Sequence, residues 1–293
     1  MCNVMYQLGY ESRAARMLTC GGWLIFGECP GDEHDYKKLK KANFCRDRMC
    51  PMCNWRRSLK MQGQISKVLH KATEVQDLRF ILLSLTIRNM DASALQNACK
   101  GFMRDFNLLM KKKAVNKICV GFVRNLEITY KADANTYHPH VHVLMAVEPS
   151  YFNKYYISQA KWTDYWQEVC NLDYKPIVHV KSIKVLDDGG LGKAAAEVGK
   201  YTVKDSDYAL DSERASEIVR CLTESLKGLR LLGFGKLFRQ LHKALNLDDI
   251  ESDTADLVGK SGGCNCRICG STLFEQLYQW NYGHNVYTLT LRD

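Results

Sequence analysis

Three of the chain's eight histidines fall within five residues, at His138-Pro139-His140-Val141-His142. Successive side chains of a β-strand point to opposite faces, so His138, His140 and His142 share one face while Val141 and Val143 point into a core. Two imidazoles at this spacing can reach one divalent ion, and neutral imidazole is the commonest protein ligand for such ions. Upstream, Glu127 sits between apolar Leu126 and Ile128. A strand that turns those two residues to the same core puts Glu127 on the face of His140 and His142. Two imidazoles and a carboxylate, with coordination positions left open, suit a cation that must also hold a phosphate oxygen, Mg²⁺ or Mn²⁺.

A second set is Glu197-Val198-Gly199-Lys200-Tyr201. On a helix Glu197 and Tyr201 are four apart and share a face, and Lys200 pairs in the same way with Lys204. A tyrosine oxygen can attack phosphorus, with basic neighbours positioning the phosphate. With its ordinary pKa near 10 it is a weak nucleophile and needs activation, which a metal polarising the scissile phosphate supplies. The spacing alone is that of any helix face; the histidine strand upstream gives it meaning.

The 13 cysteines are clustered. Cys45, Cys50 and Cys53 form one group and Cys264, Cys266 and Cys269 another; each contains a Cys-x-x-Cys pair, a structural zinc half-site. A tetrahedral site needs four ligands and each group offers three. Either Cys29 or His34 completes the first, or Cys50, Cys53, Cys266 and Cys269 share one ion. Cys2, Cys20, Cys99, Cys119, Cys170 and Cys221 read as buried small hydrophobes. Around the first group, residues 37–67 carry ten Lys or Arg against one acid, Asp47, an excess equal to the whole chain's net charge of +9. Interleaved with Phe44 and Trp55, this block reads as a nucleic-acid footprint, with Arg46, Arg48, Arg56, Arg57 and Lys60 as candidate contacts.

The elements that must position these residues follow from periodicity. Residues 80–87 (FILLSLTI), 120–130, 138–147 and 176–183 read as strands, and 91–113 and 151–172 as helices. Asp91 or Ser93 is the N-cap of the first helix. Residues 192–204 read as a further helix. The order is βαββαβ, predicting an α+β chain with a ferredoxin-like antiparallel-sheet core, two helices on one face and the other face free for a site. Residues 215–229 and 235–247 look helical. The predicted organisation is a basic, cysteine-rich zinc and DNA-binding module at 1–75, a core at 76–205, and a mostly helical segment with the second cysteine group at 206–293. No apolar run approaches the roughly 18 residues of a membrane span and no signal peptide is visible. An intracellular, cytoplasmic protein without membrane contact is expected.

In these blocks the chain resembles the rolling-circle replication initiators of Gram-positive plasmids, within the HUH (His-hydrophobe-His) endonucleases. Residues 80–89, 138–144 and 197–204 match three motifs in order, and the resemblance covers about residues 45–205. One tyrosine preceded by a glutamate resembles the single-tyrosine branch. The resemblance implies recognition of plasmid origin DNA, duplex and hairpin, and nicking by Tyr201 with a 5′-phosphotyrosine intermediate. Lys200 stands beside the nucleophile. At termination Glu197 directs water to cut the regenerated site, and a host helicase follows the nick. Tyr137, on the metal hairpin, matches no nucleophile motif. A transposase with the same chemistry, or a non-catalytic zinc-dependent DNA-binding protein, are the alternatives. A conjugative relaxase fits less well, because there the tyrosine precedes the histidines.

Overall fold

The N-terminal residues open with two short helices, α1 (Cys2–Gln7) and α2 (Glu11–Leu18). Two strands follow, β1 (Trp23–Glu28) and β2 (Lys37–Ala42), then the long helix α3 (Pro51–Val75). The next stretch holds β3 (Arg79–Thr86), α4 (Ala92–Lys111, N-capped at Asp91), α5 (Lys113–Ile118), β4 (Cys119–Lys131) and β5 (Thr136–Val147). A 3-10 turn at Pro149–Phe152 leads to α6 (Gln159–Val169) and β6 (Val178–Ile183). Last come α7 (Gly190–Val198), α8 (Ser212–Ser225), β7 (Leu232–Lys236), α9 (Leu237–Ala244), β8 (Phe274–Asn281) and β9 (Val286–Thr290). This computed structural model describes residues 1–31, 33–183, 189–200, 212–252, 257–258 and 264–290. They fall into two units, Met61–Glu251 and a second made of Met1–Lys60 with Ser252–Asp293.

The larger unit is built on a five-stranded antiparallel sheet in the order β6-β3-β5-β4-β7. Its first four strands with α4 and α6 give the expected β-α-β-β-α-β sequence of elements, with α5 inserted before β4. Strand β5 is central, and Val141, Val143, Leu144, Met145, Ala146 and Val147 are all buried because both faces are covered. Helices α4 and α6 lie on the face of Phe122 and Arg124: Phe106 packs against both, and Phe102 meets Trp166 of α6. The opposite face does not stay free. There Phe80, Val123, Leu144 and Ala146 form one core with Ile65 and Leu69 of α3, Ala195 and Val198 of α7, and Phe238 of α9. Sequence periodicity found α7 only as an isolated segment and did not find α3 at all, and nothing local says which sheet face they cover.

The smaller unit contains a second antiparallel sheet, ordered β2-β1-β8-β9. The C-terminal part is therefore not mostly helical: its described residues hold β7, β8 and β9 beside α8 and α9. Strands β8 and β9 are half-exposed throughout, so their alternation is weak, and β1, the partner of β8, lies some 250 residues upstream; the register pairs Trp23 with Gln279 and Glu28 with Phe274. The edge strand β2 (KKLKKA) takes the first part of the basic block, and its lysines discourage edge-to-edge pairing. Among the described residues no helix is long and apolar enough to cross a membrane.

Candidate metal centres

In the large sheet the β4–β5 ladder sets Glu127 directly opposite His140, and Asn125 opposite His142. The β3–β5 ladder sets Thr86 opposite His140 and Ser84 opposite His142. Residues directly opposite in a ladder point the same way. Glu127 Oε2 lies 3.3 Å from His140 Nε2 and 3.2 Å from His142 Nε2. Glu127 is almost fully buried and the His140 side chain keeps 14% of its exposure, so the cluster has one open side. Burial alone raises the carboxyl pKa of Glu127, but hydrogen bonds from the two imidazoles outweigh it and hold the group well below the ordinary carboxylate range.

The imidazole tautomers are set from behind. His140 Nδ1 lies 3.3 Å from the His138 carbonyl, which can only accept, so Nδ1 carries a hydrogen, and a cation that displaces the Nε2 proton shared with Glu127 would meet the Nε2 lone pair. His142 Nδ1 lies 3.1 Å from Ser84 Oγ, a partner that orients the ring and leaves Nε2 on the Glu127 side. Two nitrogen lone pairs and one carboxylate oxygen within 4.8 Å of one another can hold a metal ion. The donor set fits a divalent cation with coordination positions to spare. His138 shares the face but stands outside the cluster, and burial and the neighbouring His140 push its pKa down.

Helix α7 ends at Val198 rather than running on to residue 204, and the Gly199 N–H closes it on the Ala195 carbonyl. Glu197 forms an ion pair with Lys200 at 2.5 Å. The Lys200 carbonyl accepts from Asn125 Nδ2 at 3.0 Å, so the end of this segment is tied to the residue opposite His142. Gly199 has no room for a side chain: a Cβ there would stand 2.6 Å from Gln62 Cγ and 2.9 Å from the Ala195 carbonyl. Tyr201 and Lys204 lie outside the described residues. Tyr137 is buried, and burial pushes its phenol far above its ordinary pKa.

The cysteines resolve into two separate sets of four, both in the smaller unit. Cys20, Cys45, Cys50 and Cys53 form the first, with Sγ···Sγ distances of 3.4–3.6 Å. A tetrahedron with Zn–S near 2.3 Å has edges of about 3.8 Å, so this set is close to ligand geometry. Cys20, read from the sequence as a small hydrophobe, is thus the fourth member, not Cys29 or His34. Backbone N–H groups of Cys45 and Arg46 donate to Cys20 and Cys53 Sγ, which favours the thiolates. Asp47, the acid inside the basic block, is gripped by Arg13 at 2.7 and 3.0 Å and accepts from the Met49 N–H, fixing the loop between the cysteines.

Cys29, His34, Cys266 and Cys269 form the second set, with Cys29 and Cys269 sulfurs 3.4 Å apart and His34 Nε2 3.1 Å from Cys266 Sγ. The β1–β8 register creates it, because Cys29 follows β1 and Cys266–Cys269 precede β8. The two Cys-x-x-Cys pairs therefore do not share an ion, and Cys264 belongs to neither set. A hydrogen bond with Ser271 is the largest influence bringing the Cys269 thiol down to about 6. Of the basic candidates, Arg46 is exposed and Arg48 and Lys60 are half-buried. Arg56 donates to the Leu257 carbonyl, and Arg57 is buried and donates to the Arg46 carbonyl. These two guanidinium groups are held by the protein's own backbone.

A mixed α+β chain with a His-His-carboxylate cluster on a sheet and two four-ligand sulfur sets defines a class of protein with three places able to hold metal. Residues 36–288 match the replication protein family, and the chain belongs to it. It is 37% identical over 265 residues to a "Protein rep" of Bacillus amyloliquefaciens, covering 85% of this chain and 77% of that one. It is 36% identical over 263 residues to a "Protein rep" of Streptococcus pneumoniae serotype 2 (strain D39 / NCTC 7466), covering 88% and 79%. A "Protein rep" of Staphylococcus aureus is 38% identical over 181 residues, covering 61% and 77%. No solved structure matches the chain.

Proposed function

We propose that this replication protein is a plasmid rolling-circle initiator that nicks one strand of its origin through a ferredoxin-like HUH core. The observation carrying the proposal is the convergence of Glu127, His140 and His142, whose ligand atoms all lie within 4.8 Å of one another on one sheet face. Glu127, His140 and His142 would hold Mg²⁺ or Mn²⁺, and such an ion would supply positive charge to polarise the scissile phosphate. Tyr201 supplies the oxygen that attacks phosphorus, keeps the 5′-phosphate as a phosphotyrosine and leaves a free 3′-hydroxyl to prime synthesis. Lys200, whose own carbonyl accepts from Asn125, holds phosphate charge near the nucleophile. Tyr137 is a poor rival, being buried with a phenol that resists ionisation. Glu197 takes a proton from water at termination, so the second cut needs no second tyrosine.

The two sulfur-rich sets hold structural Zn²⁺ and shape the module that presents Arg46, Arg48 and Lys60 to duplex origin DNA, while Arg56 and Arg57 brace it. A host helicase then unwinds from the nick. The direct test is relaxation of a supercoiled plasmid bearing the origin, with the tyrosine-linked 5′ end trapped in denaturing gels. Wild type with Mg²⁺ or Mn²⁺ nicks and forms the adduct, and Tyr201→Phe does neither. Nicking by Tyr201→Phe at the wild-type rate removes the assignment.

A further inference from the structure

The far side of the larger unit carries a lysine-tyrosine cleft that the nicking chemistry does not use. It is a concavity of about 600 Å³ between the end of α4, α5, and the turn leading into α6. Four lysines line it, Lys112, Lys113, Lys117 and Lys161, with three tyrosines, and none of its lining residues is acidic. Only Lys112 is neutralised, by Glu168 at 2.7 Å; among the described residues no carboxylate pairs with Lys113, Lys117 or Lys161. The ammonium of Lys117 sits 4.0 Å above the ring of Tyr155, and those of Lys112 and Lys161 lie 5.0 and 5.1 Å from the ring of Tyr165. The two rings brace the lysines in place. Tyr156 is different. Its ring is 62% exposed and backed by the buried Tyr151 at 5.7 Å, with the Tyr151 hydroxyl anchored to the Ile157 carbonyl.

We infer that this cleft is a second DNA site, which holds a single strand by phosphate contacts to Lys113, Lys117 and Lys161 and by stacking of one unpaired base on Tyr156. Unopposed positive charge calls for a polyanion. A cavity of this size falls in the range that takes one small-molecule-sized group, roughly 300–1,000 Å³, and stacking on the exposed face of Tyr156 calls for a base that is unpaired. The cleft lies in the α4–α6 layer, behind the sheet face that bears Glu127. Along β4 alone, from Cys119 to Glu127, the separation is about 26 Å at roughly 3.3 Å per residue. The phosphates held here are therefore distinct from the one being cut. The inference rests on the chain acting on DNA, and it is independent of the nicking reaction.

The test is fluorescence anisotropy with an oligothymidylate of about 12 nucleotides, a length within the site sizes of single-strand binders, which has no origin sequence and needs no cleavage. The variants are the triple substitution Lys113→Ala, Lys117→Ala, Lys161→Ala and the single Tyr156→Ala, all at exposed positions, compared with wild type on single strands and on a matched duplex. The triple variant should lose about 2 from its salt slope, near 0.7 for each lost phosphate contact, and bind single strands at least tenfold more weakly. Tyr156→Ala should weaken single-strand binding roughly tenfold and leave duplex binding alone. Unchanged single-strand affinity and slope in the triple variant overturn the site. Wild-type behaviour of Tyr156→Ala, or a loss confined to the duplex, overturns the choice of a single strand. Nicking by Tyr201→Phe bears only on the catalytic proposal, so the two readings fail separately.

Discussion

On the large sheet, three groups able to hold a metal come from two adjacent strands, with Glu127 facing His140 across one rung of the ladder. In the smaller unit each set of four is gathered from segments far apart in sequence: Cys20 with the cysteines of residues 45–53, and Cys29 and His34 with Cys266 and Cys269. Three donors on a rigid surface leave coordination positions for substrate, as catalytic sites require, while four donors close a tetrahedron and leave none. The first arrangement needs the sheet to exist before the metal arrives. The second lets the metal help create the fold.

The largest effect that can break this comparison is at the sheet. His142→Ala should abolish metal-dependent nicking while melting temperature and duplex binding stay close to wild type, because the strand is held by packing on both faces. Residual nicking above one part in a hundred would mean that the three-donor cluster is not the catalytic centre. Cys20→Ser should do the reverse. Metal analysis after dialysis should fall by one equivalent of zinc, and the smaller unit should lose its cooperative melt, since structural zinc contributes about 10–16 kcal/mol in small modules. Retention of both equivalents would show that Cys20 is no ligand.

Gly199→Ala sharpens the picture of how the segment leading to the proposed nucleophile is held. The added methyl meets Gln62 and the Ala195 carbonyl, so stability should drop by about 1–3 kcal/mol, read in denaturant unfolding, with slower nicking. An unperturbed Gly199→Ala protein would mean the chain there yields easily. The smallest expected effect is Ser84→Ala, which removes the partner of His142 Nδ1. Metal affinity should weaken about 10-fold or more, seen as a rightward shift in the metal dependence of nicking with the maximal rate kept. An unshifted metal curve would show that the sheet orients the ring unaided.

The His-His-Glu face was legible because its signal is local. Alternation in residues 126–128 and 138–144 fixes which side chains share a face without knowledge of any distant contact. The sulfur sets were half legible. A Cys-x-x-Cys pair announces itself, but Cys20 carries no spacing signal, and Cys29 and His34 join Cys266 only through the β1–β8 register. Arg57 shows the same limit from another side: in a basic run its charge looks like every other, and only the folded chain reveals it buried against the Arg46 carbonyl. The β8–β9 hairpin escaped notice because neither strand is deeply buried, so its residues need not alternate. A coupling such as Asn125 to the Lys200 carbonyl spans 75 residues and has no sequence signature at all.

The β1–β8 pairing also orders events during synthesis. The larger unit is a continuous stretch, Met61–Glu251, whereas the smaller one is split around it and needs residues from both sides. A ribosome adding about 5–20 residues per second takes some 12–50 s to go from β1 to β8. Through that interval the nascent chain can complete its large sheet but not its second one, and His34 waits for Cys266. If the smaller unit governs binding to the origin, no protein grips its replicon before synthesis has passed residue 281, and fragments that stop short are bystanders rather than rogue nickases.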